Sequence, residues 1–263
     1  MALMETHYYS SCLGSNITLN VFVPTPSSNE EITDQKVREK YRYEKGLPVI
    51  YLLHGAYGDA FSWIRYSNIE RYAQEKGIIA VMASAENSFY QNLKSGKKYE
   101  KFFTEELPTF IQNVFPASKK REDTYIAGLS MGGYGAWYLG LSHPELYAGA
   151  ASLSGAVDIA EIFNMDSSAG PFNISDSFGD ISTPEGSEYD LLYLYDKAKE
   201  KGTVPELYQA VGYDDFLYKG NLRIKAELEK RGANLTFEEG EGAHTWDFWD
   251  SYIKKVLERI NTD

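Results

Sequence analysis

From Leu47 onward the chain repeats one pattern: a short apolar run, a stretch with helical spacing, then another apolar run. Val49-Ile-Tyr-Leu-Leu53 shows no polar alternation, as a strand buried on both faces of a parallel sheet requires. The spacing predicts a helix over Trp63 to Lys76, a strand over Ile78 to Met82, a helix around Tyr99 to Val114 and a strand over Thr124 to Ala127. A basic residue followed by glycine recurs at Lys76-Gly77, Lys201-Gly202 and Arg231-Gly232. Each lies after a helical stretch and before a strand, where a left-handed glycine closes a helix. This alternation over 47–260 predicts an α/β fold with a mostly parallel, doubly wound sheet and right-handed crossovers. Ahead of it, Ile17, Leu19, Val21 and Val23 alternate with Thr18, Asn20 and Phe22, which predicts an antiparallel hairpin in the N-terminal 23 residues.

Two segments depart from the pattern. Residues 24–46 carry Pro24, Pro26, Ser27 and Ser28 and then a charged stretch, a surface insertion with a helical turn or two around Glu30 to Tyr41. Residues 157–190 are rich in turn formers, among them Asp158, Ser167, Ser168, Gly170, Pro171, Asp176, Ser177, Gly179, Asp180 and Pro184. A loop of that length inside a compact domain is usually functional, and a small cap over the active site is the expectation. Neither is long enough to be a domain, so 1–263 reads as one.

Composition narrows the function. With 26 Lys+Arg against 38 Asp+Glu the net charge is −12, and an acidic surface repels phosphate backbones, so nucleic acid is excluded as a partner. One cysteine, Cys12, makes neither an internal disulfide nor a cysteine-rich zinc site. No apolar run approaches the length of a membrane span. Met1-Ala-Leu-Met-Glu-Thr-His-Tyr8 lacks the basic and apolar regions of a signal peptide, so the expected location is the cytoplasm. The sequence does not fix an oligomeric state, and a homo-oligomer stays open.

Gly128-Leu-Ser130-Met-Gly132 sits between the strand Thr124 to Ala127 and a helical stretch from Gly133 to Leu141. That is the context of a nucleophile elbow, in which flanking glycines permit a tight strand-to-helix turn and the serine hydroxyl projects from the sheet top. A serine needs a base, which on this fold follows the acid, which follows the serine. Of the four histidines, His7 and His54 precede Ser130, and His143 follows it too closely for an acid-bearing strand to intervene. His143 reads as a helix-end cation. His244, in Glu239-Gly-Glu-Gly-Ala-His244 after the strand pattern Asn234 to Glu238, is the base. The acid should end the preceding strand Tyr208 to Val211, where Asp214 and Asp215 stand side by side. Neighbours on an extended segment face opposite ways, so one orients the imidazole and the other is a helix cap or surface charge. Met131 and, from the loop after Val49 to Leu53, Ala56 are the expected backbone donors of an oxyanion hole.

Leu52-Leu-His-Gly55, Gly128-Leu-Ser-Met-Gly-Gly-Tyr-Gly135, Gly212-Tyr-Asp-Asp-Phe-Leu-Tyr218 and His244-Thr-Trp-Asp-Phe-Trp249 together resemble the esterase D branch of the α/β-hydrolases. Within it they are most similar to the small bacterial tributyrin esterases, themselves akin to feruloyl and acetyl-xylan esterases. The resemblance runs over about residues 5 to 260, apart from the insertion at 24–46. It implies that the acid is the aspartate directly before Phe-Leu-Tyr, Asp215. It also implies hydrolysis of short-chain acyl or hydroxycinnamoyl esters, with an acyl pocket lined by the segment Glu86 to Tyr90, where Asn87 and Tyr90 are candidates. Trp63 and Trp246 could each floor a pocket or pack in the core. S-formylglutathione hydrolases are less similar, since Ala56 to Trp63 holds no cysteine, and the related mycolyltransferases are secreted.

The expectation is therefore a serine esterase using Ser130, Asp215 and His244 through an acyl-enzyme, acting on a small-molecule or carbohydrate-linked ester. It needs no cofactor and no metal, because no second histidine lies within ligand spacing of His244. The alternatives are a thioesterase of the S-formylglutathione hydrolase type and a silent α/β-hydrolase serving as a binding module.

Overall fold

The computed structural model describes residues 1–41, 43–164 and 173–262. Eight strands form one sheet: β1 (Ala2–Ser10), β2 (Ser15–Val23), β3 (Val49–Leu53), β4 (Ile79–Ala83), β5 (Thr124–Leu129), β6 (Gly149–Leu153), β7 (Glu206–Gly212) and β8 (Leu235–Gly240). Their spatial order is β1-β2-β4-β3-β5-β6-β7-β8. The hairpin β1–β2 is antiparallel and joins β4 antiparallel, and every remaining pair is parallel.

The unbroken apolar run in β3 has a direct structural cause. Val49, Tyr51 and Leu53 enter the core on one face of the sheet, while Ile50 and Leu52 enter the core on the other. Helices cover both faces, so a polar residue at any of these positions would be buried without water. The helix Met131–Ser142 after β5 lies wholly inside the first layer, with every residue from Met131 to Leu141 buried. A helix so enclosed must be apolar all round, which is why its sequence shows no polar face. The helix Trp246–Arg259 packs Phe248, Trp249 and Ile253 into the second layer.

Two predicted helices depart from regular winding. Trp63 to Lys76 divides into Ser62–Tyr66 and Ile69–Lys76, because Asp250 accepts hydrogen bonds from the Asn68 backbone N–H (2.6 Å) and side chain (2.9 Å) at the break. Tyr99 to Val114 is continuous, but Phe102–Glu106 is wound more widely. The glycines expected to close helices do so, with φ of 75°, 72° and 70° at Gly77, Gly202 and Gly232. The insertion at 24–46 carries a helix, Gln35–Tyr41, and is tied down: fully buried Tyr41 donates to Glu30 and accepts from Gln74. In 157–190, the helices Ile159–Asn164 and Ile174–Phe178 are seen, and the turn formers Ser167, Ser168, Gly170 and Pro171 lie outside the described residues.

The chain runs from β3 outward to β4, then returns to place β5 on β3's other side. The carboxyl ends of β3 and β5 thus form the switch point of the sheet, where open α/β folds bind their ligands.

Candidate active site

Ser130 stands between β5 and the buried helix, with φ 55° and ψ −119°. A positive φ is strained for a side chain bearing Cβ, and it holds the hydroxyl out of both strand and helix. The glycines on either side are dictated by contact. A Cβ at Gly128 would stand 2.1 Å from the Gly132 carbonyl oxygen, and one at Gly132 would stand 2.5 Å from that of Leu53.

Sheet register brings the other loops to this serine. Leu53 pairs with Gly128, which sets the loop after β3 against the elbow. Gly212 pairs with Gly240, which sets the loops carrying Asp215 and His244 side by side. His244 Nε2 then lies 2.9 Å from Ser130 Oγ, and Nδ1 lies 2.9 Å from Asp215 Oδ2. Asp215 is 5% exposed and also accepts the Leu217 N–H at 2.9 Å. Burial alone would raise its carboxyl pKa, but the hydrogen bonds from His244 and the Leu217 N–H outweigh that and hold it below the usual value. Such a carboxylate stays ionised and can balance an imidazolium. Asp214 is exposed, with its N–H donated to the Gly242 carbonyl, and it caps no helix.

The row opens into a cavity of about 800 Å³. Ala56 and Met131, the expected oxyanion donors, both line it beside Ser130. So does Trp246, edge-on to Trp249 with 5.3 Å between ring centroids. Three other candidates stand elsewhere. Trp63 is 1% exposed, donates to the Leu53 carbonyl at 3.1 Å and lies behind Trp246, edge-to-face at 5.2 Å. Tyr90 is fully buried and donates to the His54 carbonyl at 2.8 Å. Asn87 accepts the Tyr57 N–H at 2.9 Å. None of the three is part of the cavity wall, because each is turned back onto the loop after β3 or onto the indole in front of it. None of the described residues of 157–190 lines the cavity either.

The cavity wall includes Phe89, from the segment expected to line the acyl pocket, and Tyr66, Phe216 and Trp249, which sequence reasoning did not name as pocket residues. Phe216 stood in plain view beside Asp215, and being 72% exposed it is a rim residue rather than a core one. Among the described residues, the wall holds no Lys, Arg, Asp or Glu. Among the described residues, no group of three His, Cys, Asp or Glu is placed to hold a metal ion. His143 pairs with Glu100 at 2.9 Å at the end of the buried helix, and His7 lies on the hairpin beside Glu5 and Thr18.

Fold and site together define the class: a serine hydrolase on an α/β-hydrolase sheet. The Esterase family model, described as "Putative esterase", matches residues 10–260, and the chain belongs to that family. An acetyl esterase of Caldicellulosiruptor saccharolyticus is 34% identical over 265 residues, covering 98% of this chain and 97% of that one. Among solved structures, the fluorophosphonate-binding serine hydrolase FphF of Staphylococcus aureus is 31% identical with a TM-score of 0.89, covering 100% of this chain and 99% of the other. The S-formylglutathione hydrolase FrmB of Staphylococcus aureus is also 31% identical, with a TM-score of 0.84 and coverage of 98% on both sides. The chain is a serine hydrolase of carboxylic esters.

Proposed function

We propose that this esterase cleaves uncharged short-chain acyl esters, acetyl and hydroxycinnamoyl esters among them, through an acyl-enzyme on Ser130. In this reading His244 removes the serine proton as Oγ attacks the ester carbonyl, and later returns it to the leaving alcohol. Asp215 holds the imidazole with its Nδ1 proton and stabilises the charged ring. The N–H groups of Ala56 and Met131 receive the negative charge that develops on the carbonyl oxygen. Water then repeats the sequence to free the acid. The observation that carries the reading is the row Ser130–His244–Asp215, with 2.9 Å at each step, whose Ser130 and His244 line the cavity.

The uncharged wall supports the substrate class. A desolvated anion there would find no cation among the described wall residues, whereas an acyl chain or a ring finds aromatic faces. That favours a simple or aryl ester over a glutathione thioester, whose peptide carries two carboxylates.

The test is turnover of p-nitrophenyl acetate together with labelling by a fluorophosphonate. Ser130→Ala should abolish both, with kcat falling by several orders of magnitude and the fold intact. Retention of more than about a tenth of the activity would remove Ser130 from the mechanism. A parallel assay of S-formylglutathione against methyl ferulate and p-nitrophenyl acetate decides the substrate class.

A further inference from the structure

We propose that Tyr90, His54 and Asn87 are positioning residues for the reaction, each fixing one of three successive peptide groups so that the Ala56 N–H faces the cavity. The inference rests on the reading of Ala56 as an oxyanion donor. The carbonyl of the first group, His54–Gly55, accepts the Tyr90 hydroxyl at 2.8 Å. The carbonyl of the second, Gly55–Ala56, accepts His54 Nδ1 at 2.7 Å and the Gly58 N–H at 3.1 Å. The N–H of the third, Ala56–Tyr57, donates to Asn87 Oδ1 at 2.9 Å.

The middle group bears on the chemistry. A trans peptide directs its C=O and N–H opposite ways, and no peptide here is cis. With the Gly55 carbonyl held back by the imidazole, the Ala56 N–H of the same plane is turned to the other side, where Ala56 meets the cavity. The imidazole has one tautomer available for this. The Ala85 N–H donates to Nε2 at 2.8 Å, so Nε2 is bare and the proton sits on Nδ1. Burial keeps this ring uncharged by depressing its pKa, against smaller opposing effects of the Gly55 carbonyl and Asp59.

Gly55 has no side chain to resist rotation, so without these pins the middle peptide could flip and present its carbonyl to the developing oxyanion. The segment supplying two of the pins carries positive φ at Glu86 (49°), Phe89 (52°) and Tyr90 (63°). Non-glycine residues remain in that region only where surrounding contacts over-determine them. Tyr90 is fully buried, so no solvent competes for its hydroxyl.

The experiment compares Tyr90→Phe, Asn87→Leu and Asn87→Asp with the parent and Ser130→Ala, using p-nitrophenyl acetate and an aryl trifluoromethyl ketone whose serine adduct carries an oxyanion. Loss of a direct donor costs about 10²–10³ in kcat, so loss of a pin should cost about tenfold to a hundredfold. KM should stay within about threefold, and ketone affinity should fall in step with kcat. Asn87→Asp, which keeps an acceptor oxygen, should recover most of what Asn87→Leu loses. Unchanged kcat in Tyr90→Phe and Asn87→Leu overturns the inference. So does a loss confined to KM, which would return Asn87 to a substrate contact, or a ketone affinity that does not move. If Tyr90→Phe fails to fold, the two Asn87 variants decide alone. Turnover by Ser130→Ala would instead sink the nucleophile reading, whatever the pins do.

Discussion

Asp215 turns both carboxylate oxygens toward one nitrogen of His244, lying 2.9 and 3.1 Å from Nδ1. Its neighbour Asp214 faces solvent. Asp215→Asn should therefore lower kcat by about 10⁴, since an amide there favours the wrong imidazole tautomer. Asp214→Asn should alter stability by no more than about 0.5 kcal/mol and leave kcat alone. Steady-state kinetics on the two single variants checks the pair, and the reverse ranking would move the acid one residue along the chain.

Trp246 forms part of the cavity wall and is held edge-on between Trp63 and Trp249. One aromatic contact is worth about 0.5–1.5 kcal/mol beyond its area. Trp246→Ala should accordingly raise KM for methyl ferulate by roughly twofold to tenfold, with a smaller change for p-nitrophenyl acetate. Equal changes for both esters would mean that the indole supports the fold and does not meet the acyl group.

At the start of the segment 157–190, buried Asp158 forms a two-pronged ion pair with Arg223, and its Oδ1 also accepts the Ala160 N–H. Removing one partner of a fully buried pair costs about 3–5 kcal/mol, and the partial exposure of Arg223 discounts that to about 1–3. Arg223→Met should lower Tm and speed amide exchange in Ile159–Asn164. An unchanged exchange pattern would show that the helix is anchored by packing alone.

Stability should fall in two separate steps as pH is lowered. His54 has a depressed pKa in the fold, chiefly from burial. The unfolded chain gains its proton near ~6.5 while the folded chain does not, so stability declines below that pH until the folded value is reached. Asp215, also depressed, contributes stability above the unfolded carboxylate value near ~3.9 and loses it as pH falls through the lower folded one. Tm recorded against pH should show the upper step vanish in His54→Gln and the lower one shrink in Asp215→Asn.

The strands were legible because each face of this sheet is covered, so Val49 to Leu53 had to be apolar without a break. The tight turn at Ser130 was legible because the close approach of Gly128 and Gly132 to neighbouring carbonyls leaves both positions to glycine. Chain order pointed to His244, and the fold sets its Nε2 2.9 Å from Ser130 Oγ. The roles around the pocket were harder to read. Tyr90 and Asn87 lie on the segment named for the acyl wall, yet their partners are backbone groups of His54 and Tyr57, distant in sequence. Their orientation depends on positive φ at Glu86, Phe89 and Tyr90, none of them glycine, and nothing in the residue types announces it. The division at Ser67–Asn68 was hidden for a similar reason, since its cause, Asp250, belongs to the helix Trp246–Arg259.

In the proposed mechanism the base comes from the loop between β8 and the helix Trp246–Arg259, whereas the nucleophile directly follows β5. During synthesis, Ser130 leaves the ribosome more than a hundred residues before the segment that carries His244. Until β8 has paired with β7 and that helix has docked, a nascent chain holds an ordinary serine hydroxyl, inert toward the acyl esters around it. On that mechanism hydrolytic competence arrives at the end of folding, and a truncation before His244 would leave a protein with its elbow strand but no reactive serine.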